Sequence, residues 1–347
     1  MNGSLEIVIR ADGGRAAEIG TGHIARTLLL ADALKKSSQF QGCKIIFATR
    51  SDDIFLYSKS SFQEAGYNIF DMKNAEYNSS SELDLLLSIE PDLVIFDRLE
   101  TSQQLISGLT NKNIKVVTFD DEGDGQPYSD LAIHSLLQNV PESPKTLIGY
   151  QYMILPEMPS KPRNVQAEIE NIFICFGGYD HKKLTQQFLD LVKNVKSTSH
   201  YDVIVGAQTK SSLTEIMHRI GKLREKYAVR IDLHRNPKNF GELLHRSDLA
   251  IAAGGLTAFE VVQNAIPCIG IPQYKHQQEN LLRLEQKGVI IVCDIGSEKR
   301  NTDLVRNMNR IVMDYCLRKN MSYEAGRVID NNGINRVIEA IGKAAYI

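Results

Sequence analysis

Short apolar runs alternate with longer amphipathic stretches from Leu5 almost to the end of the chain. A continuous Val/Ile/Phe-rich run is what a strand buried on both faces requires, while apolar positions three and four apart mark the covered face of a helix. On this basis the first half predicts strands at Leu5–Arg10, Cys43–Thr49, Tyr67–Phe70, Asp92–Asp97, Ile114–Phe119 and Asp130–His134. Helices are expected between them near 23–36, 52–65, 81–89 and 101–110. Strict alternation of the two element types is the signature of a parallel, doubly wound sheet.

Pro156 to Glu168 carries three prolines and no apolar periodicity, so it reads as a linker. Beyond it the alternation restarts, with strands expected at Asn171–Phe176, Tyr201–Val205, Val229–Leu233, Leu249–Ala253, Cys268–Ile271 and Val289–Cys293. The last helices, about 302–318 and 332–345, have no strand after them, which leaves the final one available to pack back on the first domain. The expected class is therefore α/β, with two Rossmann-like doubly wound domains at 1–156 and 157–347. A length of 347 residues agrees with two domains.

Composition narrows the partner. The chain is 43% hydrophobic, 24% charged and 7% aromatic, as in an ordinary globular protein, and its formal charge of −2 offers no basic excess for nucleic acid or an anionic membrane. A small ligand is expected instead. The five cysteines are scattered without a Cys-x-x-Cys pair, and four lie in apolar runs, so they read as small buried hydrophobes rather than metal ligands or disulfides. No leader-like n-region and h-region opens the chain, and no run approaches the ~18 apolar residues of a membrane span. The expected location is the cytoplasm.

In doubly wound sheets, ligands bind beyond the carboxyl ends of the strands. Four glycines occupy the first such loop, Arg10-Ala-Asp-Gly-Gly-Arg-Ala-Ala-Glu-Ile-Gly-Thr-Gly-His-Ile-Ala-Arg26. Gly20 and Gly22 let backbone approach a ligand, and the helix starting near His23 offers free N–H groups and a positive dipole end. That end favours the neutral imidazole, the form that accepts a proton. The plain alternative is a helix-terminal histidine bonded to a carbonyl. The loop fails the dinucleotide fingerprint, because Gly20-Thr-Gly22-His-Ile-Ala25 ends in Ala and the second strand ends in Ala48-Thr49-Arg50 without an acid.

Two further strand ends run into Gly-Gly turns, Phe176-Gly177-Gly178-Tyr-Asp180 and Ala253-Gly254-Gly255-Leu256-Thr257-Ala-Phe-Glu260. The second also opens a helix, which suits a diphosphate. Glu260 then either accepts hydrogen bonds from a ribose diol or closes a Thr257-x-x-Glu260 capping box. The acidic strand ends Asp97 and Asp120-Asp121-Glu122 suit sugar hydroxyls or a divalent ion, or else cap the turns that follow them. No helical His-x-x-x-His, EF-hand loop, Gly-x-Ser-x-Gly elbow or P-loop is present, so no dedicated metal site and no cofactor are expected.

Taken together, these segments resemble the UDP-sugar hydrolases of the pseudaminic acid pathway and their spore-coat polysaccharide relatives. The match is carried by Arg10-Ala-Asp12, Ile19-Gly-Thr-Gly-His23-Ile-Ala-Arg26-Thr-Leu-Leu-Leu-Ala31, Val117-Thr-Phe-Asp120-Asp121, Phe176-Gly-Gly-Tyr-Asp180 and Gly254-Gly-Leu-Thr-Ala-Phe-Glu260. Gly254–Glu260, with Ile271-Pro and His276-Gln277-Gln278-Glu-Asn280, is also similar to the nucleotide-binding half of the transferase that adds N-acetylglucosamine to lipid-linked muramyl pentapeptide. The resemblance spans residues 7 to about 295 and implies the GT-B architecture, two Rossmann-like domains facing across a cleft.

It further implies a metal-independent, inverting cleavage of the anomeric C–O bond of a UDP-linked amino-sugar, with His23 catalytic. Arg10, Asp12, Gly22, Arg26, Asp97 and Asp120 would face the sugar. Gly177, Gly178, Gly254, Gly255, Leu256, Thr257, Glu260, Gln277, Gln278 and Asn280 would hold the nucleotide. Two departures fall on the sugar side. Leu99 stands where the hydrolases usually carry Tyr, and Tyr152-Met-Ile-Leu-Pro156 where they usually read Tyr-x-x-Leu-Arg. Three activities stay open: hydrolysis, transfer to a sugar acceptor, and nucleotide-sugar binding without turnover.

Overall fold

The structure, a computed structural model, describes residues 4–13, 21–53, 55–73, 75–136, 140, 143, 145–158, 164–195, 200–206 and 213–345. Ile19 and Gly20 of the first glycine loop and residues 159–163 of the linker lie outside the described residues. The chain forms two compact units, Met1–Leu155 with Asn332–Ile347, and Pro156–Asn331.

Unit 1 begins β1 (Glu6–Ala11), α1 (Gly22–Lys36), β2 (Lys44–Thr49), α2 (Leu56–Glu64), β3 (Asn68–Asp71), α3 (Ser80–Leu87), β4 (Leu93–Asp97), α4 (Gln103–Thr110), β5 (Lys115–Phe119), β6 (Leu131–His134) and β7 (Thr146–Ile148). Unit 2 runs β8 (Asn171–Cys175), α5 (Leu184–Val192), β9 (His200–Val205), α6 (Leu213–Tyr227), β10 (Arg230–Arg235), α7 (Phe240–His245), β11 (Leu249–Ala252), α8 (Leu256–Gln263), β12 (Cys268–Gly270), α9 (Lys275–Gln286), β13 (Ile290–Val292), α10 (Glu298–Met313) and α11 (Tyr315–Val328). The chain then returns to unit 1 with α12 (Gly333–Ala345).

Both sheets are parallel throughout, with strand orders β3-β2-β1-β4-β5-β6-β7 and β10-β9-β8-β11-β12-β13. Each order reverses direction once, between β1 and β4 and between β8 and β11, and at those points the connecting loops diverge to opposite faces of the sheet. Side-chain alternation fixes what each face holds. Ile7, Ile9 and Ala11 of β1, with Ile95, Val117 and Phe119, pack under α1 and α12. Val8, Val94, Phe96 and Val116 pack on the other side under Leu86 of α3 and Leu105, Ile106 and Leu109 of α4. Arg10 and Asp97 therefore leave the sheet on opposite faces.

Local chemistry sets several helix starts. The Ser79 hydroxyl accepts the Glu82 N–H at the head of α3, and Ser102 accepts that of Leu105 at the head of α4. The continuous helix expected over 302–318 is broken at Asp314, whose carboxylate caps the N–H of Leu317 while α10 ends at Met313. Arg318, 1% exposed, consolidates the break by donating to the carbonyls of Ile311 and Val312, and reaches those of Gln166 and Ala167 at the end of the linker. No strand was expected at β7, which has three residues and no fully buried position.

α12 covers the unit 1 sheet with Ile334, Val337, Ile338 and Ile341, one stripe at helical spacing. Its first residue is crowded, since a Cβ on Gly333 would meet the Met153 carbonyl at 2.0 Å. Gly333→Ala should therefore push the first turn off Met153 and cost about 1–3 kcal/mol. Urea denaturation followed by circular dichroism measures this, as the chain has no tryptophan.

Candidate active site

The carboxyl ends of β1 and β4 meet at the switch point of unit 1. α1 starts there at Gly22, placing His23 and Arg26 on the turn that faces the end of β4. Asp97, the last residue of β4 and 1% exposed, accepts Nδ1 of His23 at 2.6 Å and both Nε and Nη2 of Arg26 at 2.8 and 2.5 Å. Arg26 also donates through Nη1 to Asp120. Asp120 sits just beyond β5 with φ +47°, and its other oxygen takes the Leu136 N–H at 2.8 Å.

Burial alone would raise the Asp97 carboxyl. The Arg26 guanidinium and His23 beside it overcome that and hold it well below the usual carboxylate range. An ionised Asp97 fixes the imidazole: Nδ1 carries the proton and donates, leaving Nε2 as an acceptor. Arg26 thereby ties the ends of β4 and β5 to the first turn of α1. The Thr27 hydroxyl, donating to the His23 carbonyl at 2.7 Å, holds the turn in place.

The opposite face of β1 carries a second network. Arg10, 1% exposed, donates to Asp12 and Glu82, each at 2.7 Å. Arg98 donates to the same Glu82 oxygen at 2.7 Å, and the Tyr77 hydroxyl donates to Asp12. Guanidinium carbons of Arg10, Arg50 and Arg98 lie 5.3, 5.1 and 5.3 Å from the centre of the Tyr77 ring. Of the sugar-side residues expected, the structure thus joins Gly22, His23, Arg26, Asp97 and Asp120, while Arg10 and Asp12 are spent on each other, Glu82 and Thr49 across the sheet. Glu82, Tyr77 and Arg98 were not singled out in the sequence. Arg98, adjoining Asp97, was the one signal available, whereas Glu82 meets Arg10 across 72 residues.

Unit 2 gathers its expected residues around β8 and β11. Gly177 turns the chain after β8 with φ +87°. Gly254 lies against α9, where a Cβ would meet the Gln277 carbonyl at 2.4 Å. Asn280 reaches the Gly254 carbonyl at 3.4 Å, Gln277 accepts the Gln273 N–H at 3.0 Å, and Gln273 donates to the Phe176 carbonyl at 2.7 Å. One glutamine and the start of α9 thereby tie both glycine turns together. Gln278 is exposed on the same helix.

α8 begins after Gly255, which caps it without any side-chain bond. The capping box considered for Thr257 and Glu260 does not form at this start. Glu260 keeps partial solvent access, yet dense packing surrounds its carboxyl and pushes it up to about 7. At the outer strands β9 and β10, His200, Asp202 and Asp232 also converge. Asp202 is already matched there by Arg246 at 2.6 Å and His234 at 2.7 Å, and this cluster reads as an ion-pair network.

Residues 171–337 match the Glycosyltransferase family 28 C-terminal domain. The chain is 30% identical over 295 residues to the uncharacterized protein MJ1062 of Methanocaldococcus jannaschii, covering 79% of this chain and 57% of that protein. It thus spans less than two thirds of that relative. It is 25% identical over 352 residues to the spore coat polysaccharide biosynthesis protein SpsG of Bacillus subtilis, with 96% of each chain covered. The crystal structure of Acinetobacter baumannii MurG matches with a TM-score of 0.70 at 16% identity, over 98% of this chain and 99% of that one. With the two parallel sheets, this establishes the GT-B fold of two Rossmann-like domains. Among the described residues no helix is long and apolar enough to cross a membrane.

Asp97→Ala leaves Arg26 paired with Asp120 but strips two hydrogen bonds from the buried guanidinium and one from His23, and should cost about 1–3 kcal/mol in chemical denaturation. Glu260 is an acid raised on folding, so its contribution to stability is complete at low pH and is lost as pH climbs through about 7. Melting temperatures across that range should fall in the native chain, with a flatter profile in Glu260→Gln.

Proposed function

We propose that the protein is an inverting, metal-independent GT-B enzyme that transfers the sugar of a nucleotide-diphosphate donor, UDP-linked by the resemblance above, to an acceptor hydroxyl or amine. The observation that carries this reading is the His23–Asp97 pair, in which a buried carboxylate orients the imidazole and leaves Nε2 able to take a proton. The acceptor loses its proton to Nε2 as its oxygen or nitrogen attacks the anomeric carbon. The C–O bond to the diphosphate breaks on the opposite side, and the leaving group takes the electron pair.

We assign the nucleotide to unit 2. The free N–H groups at the start of α8 meet the charge developing on the diphosphate, so the reading does not call for a divalent ion. Glu260, once ionised, accepts the two hydroxyls of the ribose. The glycosyltransferase family 28 match over this unit and the likeness to SpsG both support a nucleotide-sugar substrate and a place in polysaccharide synthesis.

Hydrolysis is the second reading, with water in place of the acceptor. Its support is the His23 loop and the shelter of the histidine itself, whose side chain is 15% exposed, room enough for a small nucleophile.

Mass spectrometry of UDP-linked N-acetylated amino-sugars incubated with the protein, with and without candidate acceptors, separates these readings. Transfer predicts UDP release only when an acceptor is present, and release at the same rate in water alone means hydrolysis. UDP binding without turnover of any donor would leave a binding protein. His23→Gln should lower kcat about 10²- to 10⁴-fold and leave the Kd for UDP unchanged. That Kd should tighten as pH rises through about 7, and Glu260→Gln should remove the dependence.

A further inference from the structure

α8 has two ends, and only its N-terminal end belongs to the glycine turns. At the other end Gln263, Asn264 and Ala265 form part of the wall of an open cavity of about 700 Å³ within unit 2. This lies in the range of small-molecule sites. The opposite wall is α11, which contributes Tyr315, Lys319, Tyr323 and Arg327. Four-residue spacing sets these side chains along one stripe of the helix, aromatic and cation in turn.

The chemistry of this wall is specific. Tyr315 and Tyr323 are 39% and 64% exposed, large ring surface with no core to cover it. Lys319 takes part in none of the described ion pairs, while Arg327 makes a loose 3.8 Å contact with Glu324 and lies 5.6 Å from the centre of the Tyr323 ring. Asp330 is the one carboxylate among the described lining residues, so cations prevail. Gln263 and Asn264 bond through their amide nitrogens to Asn331 and to the Glu260 carbonyl, at 3.0 and 2.7 Å. Their amide oxygens are buried behind this surface, without a partner among the described residues. Tyrosine faces stack on the C–H face of a pyranose, and adjacent cations answer an anionic substituent.

We propose that this cavity is a second ligand site, separate from the nucleotide subsite, that binds an anionic monosaccharide, a hexose carrying a phosphate or a carboxylate. Its place in the chain gives it a regulatory role. Met158 and Asn331 line it, and they stand beside the two points, Leu155/Pro156 and Asn331/Asn332, at which the chain passes from one unit to the other. An occupant holds both passages at once.

The test is calorimetric titration of the full chain with glucose 6-phosphate, glucuronate and uncharged glucose, with and without saturating UDP. At least one of the two anions should bind, at least tenfold more tightly than glucose and equally well in the presence of UDP. Lys319→Ala and Tyr323→Ala should each weaken that binding at least tenfold, with the melting temperature and the Kd for UDP unchanged. Hydrogen exchange should slow on binding at 156–158 and 326–331. The proposal is overturned if neither anion binds at millimolar concentration, if UDP displaces the anion, or if binding survives both substitutions. Because the titration is also run without UDP, it stands or falls independently of the nucleotide assignment.

Discussion

A carboxylate taken out of water must be answered by charge and by hydrogen bonds, and in unit 1 that demand falls on Asp97. It ends the most buried strand of its sheet, at the position where strand order reverses, and every oxygen it offers is taken by α1. Because Arg26 satisfies it together with His23, the first turn of α1 cannot shift without exposing an unpaired charge. Asp120 extends the same constraint to β5 through Arg26. The geometry of the imidazole is thus a by-product of solving a burial problem.

The two networks of unit 1 divide labour by the face on which each strand residue emerges. On one face of the sheet buried Asp97 and Arg26 hold His23, whose side chain keeps partial access to solvent. On the other, Arg10, Asp12, Glu82 and Arg98 neutralise one another almost entirely out of water, with Tyr77 lying among the guanidinium groups. The second arrangement fixes the carboxyl ends of β1 and β4 and the start of α3, and it frees the first to be shaped by chemistry.

Much of this was legible in the sequence, for identifiable reasons. Strands such as Leu93–Asp97 and Lys115–Phe119 are buried on both faces, so their apolar runs are continuous and their ends are marked by acids. His23, Arg26, Asp97 and Asp120 stood out because glycines or strand ends flank them. The ion pairs that join them could not be read, since Arg26 meets its partners across 71 and 94 residues. The break at Asp314 was hidden by a periodicity that continues through it, and it depends on Arg318 reaching carbonyls at the end of the linker. The partners of Arg10 were equally hidden: its place in a recognisable opening suggested contact with a sugar, and the fold gives it Asp12 and, across 72 residues, Glu82.

α12 has a consequence for how the chain is made. Its apolar stripe closes the same core that β1, β4 and β5 open, yet all of unit 2 separates it from them in the order of synthesis. At ribosomal speeds of roughly 5–20 residues per second, the core of unit 1 waits on the order of ten seconds or more, one face of its sheet only partly covered, while unit 2 is translated. Unit 2 is contiguous and can be complete first. The unit that leads in sequence is the later one to close, and the protein becomes whole from its second half backwards.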